Sequence, residues 1–231
     1  MLDLHTHILP LMDDGSQSPE ESLRMLRMEA EQGVELAVLT PHFYPDREDP
    51  QHFLGRRQAA AEKLLDVLQG QTDLPQIRLG AEVRYYDGVS LSEGIEALCV
   101  EGTRTLLLEM PFCRWTRRML DEAGYLRSQR GIQPVLAHVE RYLSFQPAGV
   151  VAELGDGGVW MQANASFFTR WQTSRRALRM LSRREIHFIG SDCHNLTTRR
   201  PNLGEAAAKI EKRLGSDAQQ HLRRMQEQLL G

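Results

Sequence analysis

The sequence predicts an α/β fold: one parallel sheet, closed or nearly closed into a barrel, with an open doubly wound sheet as the second choice. Three observations predict it. Short apolar runs alternate with longer helical patterns as seven strand–helix units in tandem, and such units are joined by right-handed parallel crossovers. No segment repeats another, and no linker rich in Pro, Gly or Ser interrupts the alternation, so residues 1–231 read as a single domain. The length of 231 residues, 41% hydrophobic and 26% charged, suffices for one sizeable core.

The first strand is Leu2–His7, where alternation sets Leu2, Leu4 and Thr6 against Asp3, His5 and His7. A helix follows, with Ser18 as N-cap, Pro19 in the first turn, Glu21 closing a capping box and Gly33 ending it. VELAVLTPH is a second strand ending near His42, and Phe43–Gln51 an exposed excursion above it. A helix spans Pro50–Gln69; QIRLGAEV is the third strand, with a short helical piece at Leu91–Leu98. TLLLEMP, QPVLAHV, VWMQANA and IHFIGSDCH are the remaining strands. Their helices are Thr116–Gln129, a piece near Val150, Thr173–Arg184, Leu203–Leu214 and Asp217–Leu230.

Composition excludes several classes. A net charge of −3 gives no basic bias towards nucleic acid. Lys63, Lys209 and Lys212 are the only lysines, so the positive charge is nearly all arginine, the better fork for phosphate and carboxylate. Cys99, Cys113 and Cys193 form no disulfide framework. MLDLHTH is not a secretory leader, and no apolar run matches a membrane span. A reducing cytoplasm is the expected setting. The closing helices set Arg213, Arg223 and Arg224 beside Glu211 and Glu227, a solvated face or a homo-oligomer contact.

The chemistry lies at the strand ends. His5, His7, His42, Glu82, Glu109, His138, Asp192 and His194 sit at or just past the C-terminal ends of six of the seven strands, with Asp14 in the loop after the first. Parallel sheets build their sites along that edge. A buried carboxylate such as Glu109, after three leucines, is costly unless paired or bound to a cation. Imidazoles mixed with carboxylates, without a thiolate cluster, favour Mn, Fe or Zn. More than four ligands point to more than one ion, and two ions together can hold a nucleophilic hydroxide and clamp an oxyanion. Arg141 and Arg199, just past two of these strand ends, are placed to grip a phosphoryl group.

In order, DLHTHILPLMDDGSQSPEESL, TPHF, GAEVRYY, LLEMP, AHVERY, QANASF and SDCHN with a following arginine resemble the PHP (polymerase and histidinol phosphatase) superfamily. The closest resemblance is to its manganese-dependent bacterial protein-tyrosine phosphatases of capsule and exopolysaccharide operons, the CpsB/CapC type. It covers Leu2 to about Pro201.

The resemblance implies a distorted (β/α)7, TIM-like barrel with a trinuclear metal centre, manganese foremost. His5, His7, Asp14, His42, Glu82, Glu109, His138, Asp192 and His194 would be the metal ligands, and Arg141 and Arg199 would hold the phosphate. The implied substrate is the phosphotyrosine tail of an autophosphorylating tyrosine kinase, hydrolysed without a phospho-enzyme, with Asp14 or His194 assisting the leaving group. Val139 stands where the family commonly has proline, and TTRR where it tends to a glycine and then prolines.

Four rivals remain. Cys193 to Arg199 has the C-x5-R spacing of cysteine-dependent phosphatases but no glycine to form the phosphate loop. A PHP-type small-molecule phosphomonoesterase, such as one for histidinol phosphate, would use the same ligands. An amidohydrolase barrel also begins H-x-H, but no lysine here lies at a strand end. The intact ligand set argues against a non-catalytic partner of the kinase.

Overall fold

A computed structural model describes all residues, 1–231. The elements run β1 (Leu2–Thr6), α1 (Pro19–Glu31), β2 (Leu36–Leu39), β3 (His42–Phe43), α2 (Pro50–Leu68), β4 (Gln76–Leu79), β5 (Glu82–Arg84), β6 (Thr105–Glu109), α3 (Arg117–Arg130), β7 (Gln133–Leu136), α4 (Val150–Asp156), β8 (Trp160–Asn164), α5 (Ala165–Thr169), α6 (Ser174–Ser182), β9 (Phe188–Gly190), α7 (Leu203–Leu214) and α8 (Ser216–Leu230). Every strand pair is parallel. The pairings run β1–β2–β4 in one sheet and β3–β5–β6–β7–β8–β9 in the other. A bridge between Thr6 and Cys193 joins β1 to the segment after β9. The result is a curled parallel sheet wrapped by helices.

Two predicted strands are interrupted. VELAVLTPH divides into β2 and β3 at Thr40–Pro41, and QIRLGAEV into β4 and β5 at Gly80–Ala81. Pro41 has no N–H for the ladder. At Gly80 a Cβ would come within 3.3 Å of Thr40 Cγ2 and of Val38 Cγ1, so the two breaks are packed against each other. The short helical piece expected at Leu91–Leu98 consists of two 3₁₀ turns, Val89–Leu91 and Ile95–Leu98, each started by a glycine at positive φ (Gly88, 90°; Gly94, 77°). The last strand is regular only over Phe188–Gly190; beyond it Asp192, at φ 53°, turns the chain, which still donates the Asp192 N–H to the His5 carbonyl at 2.8 Å. The one-turn helix α5 was not expected.

Strict alternation along β1 also fails, because its pairing with β2 shifts between Asp3 and Thr6. Asp3 accepts from the N–H groups of His5 (3.1 Å) and Ser191 (3.0 Å) and does not join His5 and His7.

Helix starts follow the sequence closely. Ser18 accepts from Glu21 N–H at 3.1 Å, and Asp49 from His52 N–H at 2.9 Å. Glu21 reaches back one residue further than a capping box requires, to Gln17 N–H at 2.9 Å. A core cluster of 47 buried residues links sheet and helices. A second, of 11, gathers strand residues such as Leu2, Leu36, Val135 and Phe188 around Met225 and Leu229 of α8. Apolar packing thus covers the N-terminal strand ends and leaves the C-terminal ends to polar side chains.

Candidate metal centre

All nine side chains expected as ligands meet along one edge of the sheet: at or just past the ends of β1, β6, β7 and β9, at the starts of the short strands β3 and β5, and, for Asp14, in the loop after β1. Glu82, opening β5 and 1% exposed, is the hub. Its Oε2 lies 2.9 Å from His42 Nδ1 and 3.2 Å from the Nε2 atoms of both His5 and His7; its Oε1 lies 2.9 Å from His138 Nε2. Glu109, closing β6, stands 3.6 Å from His138 Nε2. Asp192 Oδ1 is 3.6 Å from the Nε2 atoms of His5 and His7. Asp14, exposed at the mouth, is 3.4 Å from His194 Nε2 and 3.7 Å from His42 Nε2. Three groups place their ligand atoms within 4.8 Å of one another: His7, Asp14, His42 and His194; His5, His7 and Asp192; His42, Glu82 and Glu109.

The residues fit divalent cations, and unsatisfied polar atoms are the test. Glu82 Oε2, His42 Nδ1, His138 Nδ1 and His194 Nε2 are buried without a hydrogen bond, an expensive state for polar groups. His42 Nδ1 and Glu82 Oε2 are close yet not aligned for a hydrogen bond, whereas lone pairs aimed at a shared ion need no such alignment. Three other ring nitrogens are tied down. His5 Nδ1 pairs with Gln162 Oε1 at 3.1 Å, His7 Nδ1 with Asp13 Oδ2 at 2.7 Å, and His194 Nδ1 with the Asp192 carbonyl at 3.0 Å. Each acceptor puts the proton on Nδ1 and leaves the Nε2 lone pair facing the cluster, the arrangement that orients metal-binding histidines.

Without cations, the carboxylates are balanced by protons. Burial pulls His7 down, but Asp13 and Glu82 outweigh it and raise the imidazole to about 10. Burial likewise opposes charge on His138, yet Glu109 and Glu82 raise it to about 9. Burial works against ionisation of Glu82, but His5, His138 and His42 hold it well below its ordinary range. Burial, reinforced by neighbouring His7, lowers His194 to about 4, so it stands neutral at pH 7.

Arg141 and Arg199 both bind Asp192, one on each oxygen: Arg141 on Oδ2 and Arg199 on Oδ1 at 2.8 Å. Each guanidinium is 38% exposed, with donors to spare at the opening. Arg141 ends the 3₁₀ turn Val139–Arg141, which His138 starts at φ 34°. Arg199 is fixed by Asn195, whose Oδ1 accepts from the N–H groups of Thr197 (2.9 Å) and Arg199 (3.1 Å).

Sequence reasoning missed Asp13, Gln162 and Asn164. Asp13 joins His7 to the N–H groups of His42 (2.8 Å) and Gly15 (2.9 Å). Asn164 donates to Asp192 Oδ2 at 2.8 Å. The available signal was a pair of polar residues two apart, Gln162 and Asn164, closing the one strand without a ligand. Cys193 is no nucleophile: it is fully buried with Sγ 3.8 Å from Glu29 Oε1, and burial with Glu29 and Asp3 pushes its thiol well above the usual range.

The chain matches the family model for capsular polysaccharide synthesis, CpsB/CapC, over residues 1–230. It is 30% identical to tyrosine-protein phosphatase YwqE of Bacillus subtilis over 229 residues, 94% of this chain and 86% of that one. It is also 30% identical to tyrosine-protein phosphatase CpsB of Streptococcus pneumoniae, over 94% of this chain and 92% of that one. A solved structure from a study of those two proteins, described as unique metal-dependent tyrosine phosphatases, superposes with a TM-score of 0.87 at 28% identity, covering 100% of this chain and 94% of that one.

Proposed function

The chain belongs to the CpsB/CapC family of capsular polysaccharide synthesis, and from that premise we propose that it is a metal-dependent protein-tyrosine phosphatase, hydrolysing phosphotyrosyl residues of a protein to tyrosyl residues and phosphate. One observation carries the reading: nine imidazoles and carboxylates converge beside two arginines that share Asp192. In our reading His5, His7, Asp14, His42, Glu82, Glu109, His138, Asp192 and His194 hold the ions. We take these as three divalent cations, manganese foremost, with iron or zinc as alternatives that suit the same donors.

When bound, such ions supply Lewis acidity to water and to the phosphoryl oxygens. Arg141 and Arg199 bind the phosphoryl group with their free N–H donors and offset charge that grows on its oxygens. Gln162 and Asp13 keep the His5 and His7 rings in one tautomer and orientation. His194, neutral and with Nδ1 on a carbonyl, serves as a donor atom. In this reading Asp14, at the exposed edge near Arg199 (3.8 Å), or His194 assists the departing phenolate oxygen by orienting the water that protonates it.

We also read β2 with β3, and β4 with β5, as single interrupted strands. That makes seven strands in a ring closed by the Thr6–Cys193 bridge, a distorted (β/α)7 barrel in one domain. The cognate substrate in this reading is an autophosphorylated tyrosine kinase tail, met in the cytoplasm. The test is hydrolysis of a phosphotyrosyl peptide after chelation and after Mn, Fe or Zn is restored. Chelation is expected to abolish turnover, one of the metals to restore it, and thiol alkylation to leave it unchanged. Inertness with every metal would refute the reading.

A further inference from the structure

Phe112 follows Glu109 by three residues, on the loop leaving β6. Its ring is 48% exposed, unusual for a large apolar side chain beside a buried polar cluster. One face lies against His138, with ring centroids 6.0 Å apart and planes 22° from parallel. Behind it stands Tyr142, at 5.5 Å, fully buried and accepting the Met110 N–H at 2.9 Å. Trp115 backs Tyr142 at 5.1 Å and donates its indole N–H to the Pro111 carbonyl at 3.0 Å, fixing the loop that carries Phe112. Phe145, 43% exposed, continues the surface outward at 6.5 Å. A series of aromatic rings thus runs from the buried Tyr142 to the exposed Phe112 and Phe145, beside His138.

Its position gives the ring a use. His138, which Phe112 stacks on, starts the same short turn that Arg141 ends. Because His138 Nε2 meets Glu82 Oε1 at 2.9 Å, the ring stacked on its imidazole borders the cluster where the phosphoryl group of the proposed substrate sits. A short alkyl substituent offers that ring little contact, whereas a phenyl group can stack on it with an offset or edge-on geometry.

We infer that Phe112 selects aryl over alkyl phosphomonoesters, its exposed ring being the wall against which the substrate's phenyl ring stacks. The inference rests on the phosphatase reading above and adds to it the residue that reads the aryl group. The ring is held before substrate arrives, so little conformational freedom is lost on binding.

The test separates the aryl contact from phosphate binding. Calorimetry on the metal-loaded protein measures Kd for phenylphosphonate and for methylphosphonate, neither of which is hydrolysed. In Phe112→Ala the Kd for phenylphosphonate is expected to rise about tenfold, the scale of one aromatic pair with its buried area, while that for methylphosphonate stays unchanged. Phe112→Trp should restore the difference, and Phe112→Leu, which keeps apolar bulk without a π face, should restore only part of it. The kcat/KM for a phosphotyrosyl peptide should fall in parallel with the phenylphosphonate affinity. An equal loss for both phosphonates would mean that Phe112 only props His138, and no loss would mean that the ring is idle; either result overturns the inference. Failure of the phosphatase reading is separately visible, as wild-type protein inert on every phosphomonoester, and would take this inference with it.

Discussion

Gln162 carries no charge and is no metal ligand in our reading, yet its Oε1 meets His5 Nδ1 at 3.1 Å and accepts the His138 N–H at 2.7 Å. Its Nε2 donates to Asn164, which in turn donates to Asp192. One neutral side chain therefore sets the tautomer of one ring, the backbone of a second residue and, through Asn164, a carboxylate. Removing such a partner lowers metal affinity by about 10–100-fold in comparable sites. Gln162→Ala is expected to weaken manganese binding by that order in a direct titration. Turnover at saturating metal should be far less affected, because the proposed ligands and both arginines remain. A variant that binds manganese as tightly as the wild type would show that His5 needs no such support.

At the level of elements, the loop after β1 depends on close backbone approach. A Cβ on Gly15 would clash with the His7 carbonyl oxygen and stand 2.6 Å from His7 Cβ. Gly15→Ala must therefore push the loop or His7 aside, moving Asp13 and Asp14 with it. The expected result is a less stable protein with strongly weakened metal binding, read by thermal unfolding with and without manganese. Gly55→Ala, in open space on α2, is the control that should cost nothing. Such elements were legible in the sequence to different degrees. The start of α1 was plain, because Ser18 acts on Glu21, three positions away. Strand interruptions were hidden, because the break at Thr40–Pro41 depends on packing against Gly80, forty residues later. The side chains that converge could be read as residue types at strand ends, whereas Asp13 looked like a mere neighbour of Asp14 until the fold brought His7 and His42 to it.

Across the whole molecule, the centre couples folding to protons and cations. Buried carboxylates need positive charge nearby, and in the metal-free state His7 and His138 supply it, held up to about 10 and about 9. An unfolded imidazole titrates near 6.5. A raised folded value contributes stability that is complete below about pH 6.5 and lost as pH climbs through the folded values. Groups lowered by folding act in the opposite sense. His194 at about 4, and His187, also brought to about 4 by burial beside His221, favour unfolding as pH drops below about 6.5. The metal-free protein should therefore be most stable near pH 6.5 and lose stability towards both pH 4 and pH 10. In our reading, cations at the centre replace the protons on His7 and His138, and proton competition with metal fades as pH rises. Manganese-loaded protein should thus keep its Tm between pH 7 and pH 10, where chelated protein loses it, so the gap between the two widens with pH. Differential scanning calorimetry across that range decides the matter. Parallel decline of both forms would mean that these imidazoles do not exchange protons for metal.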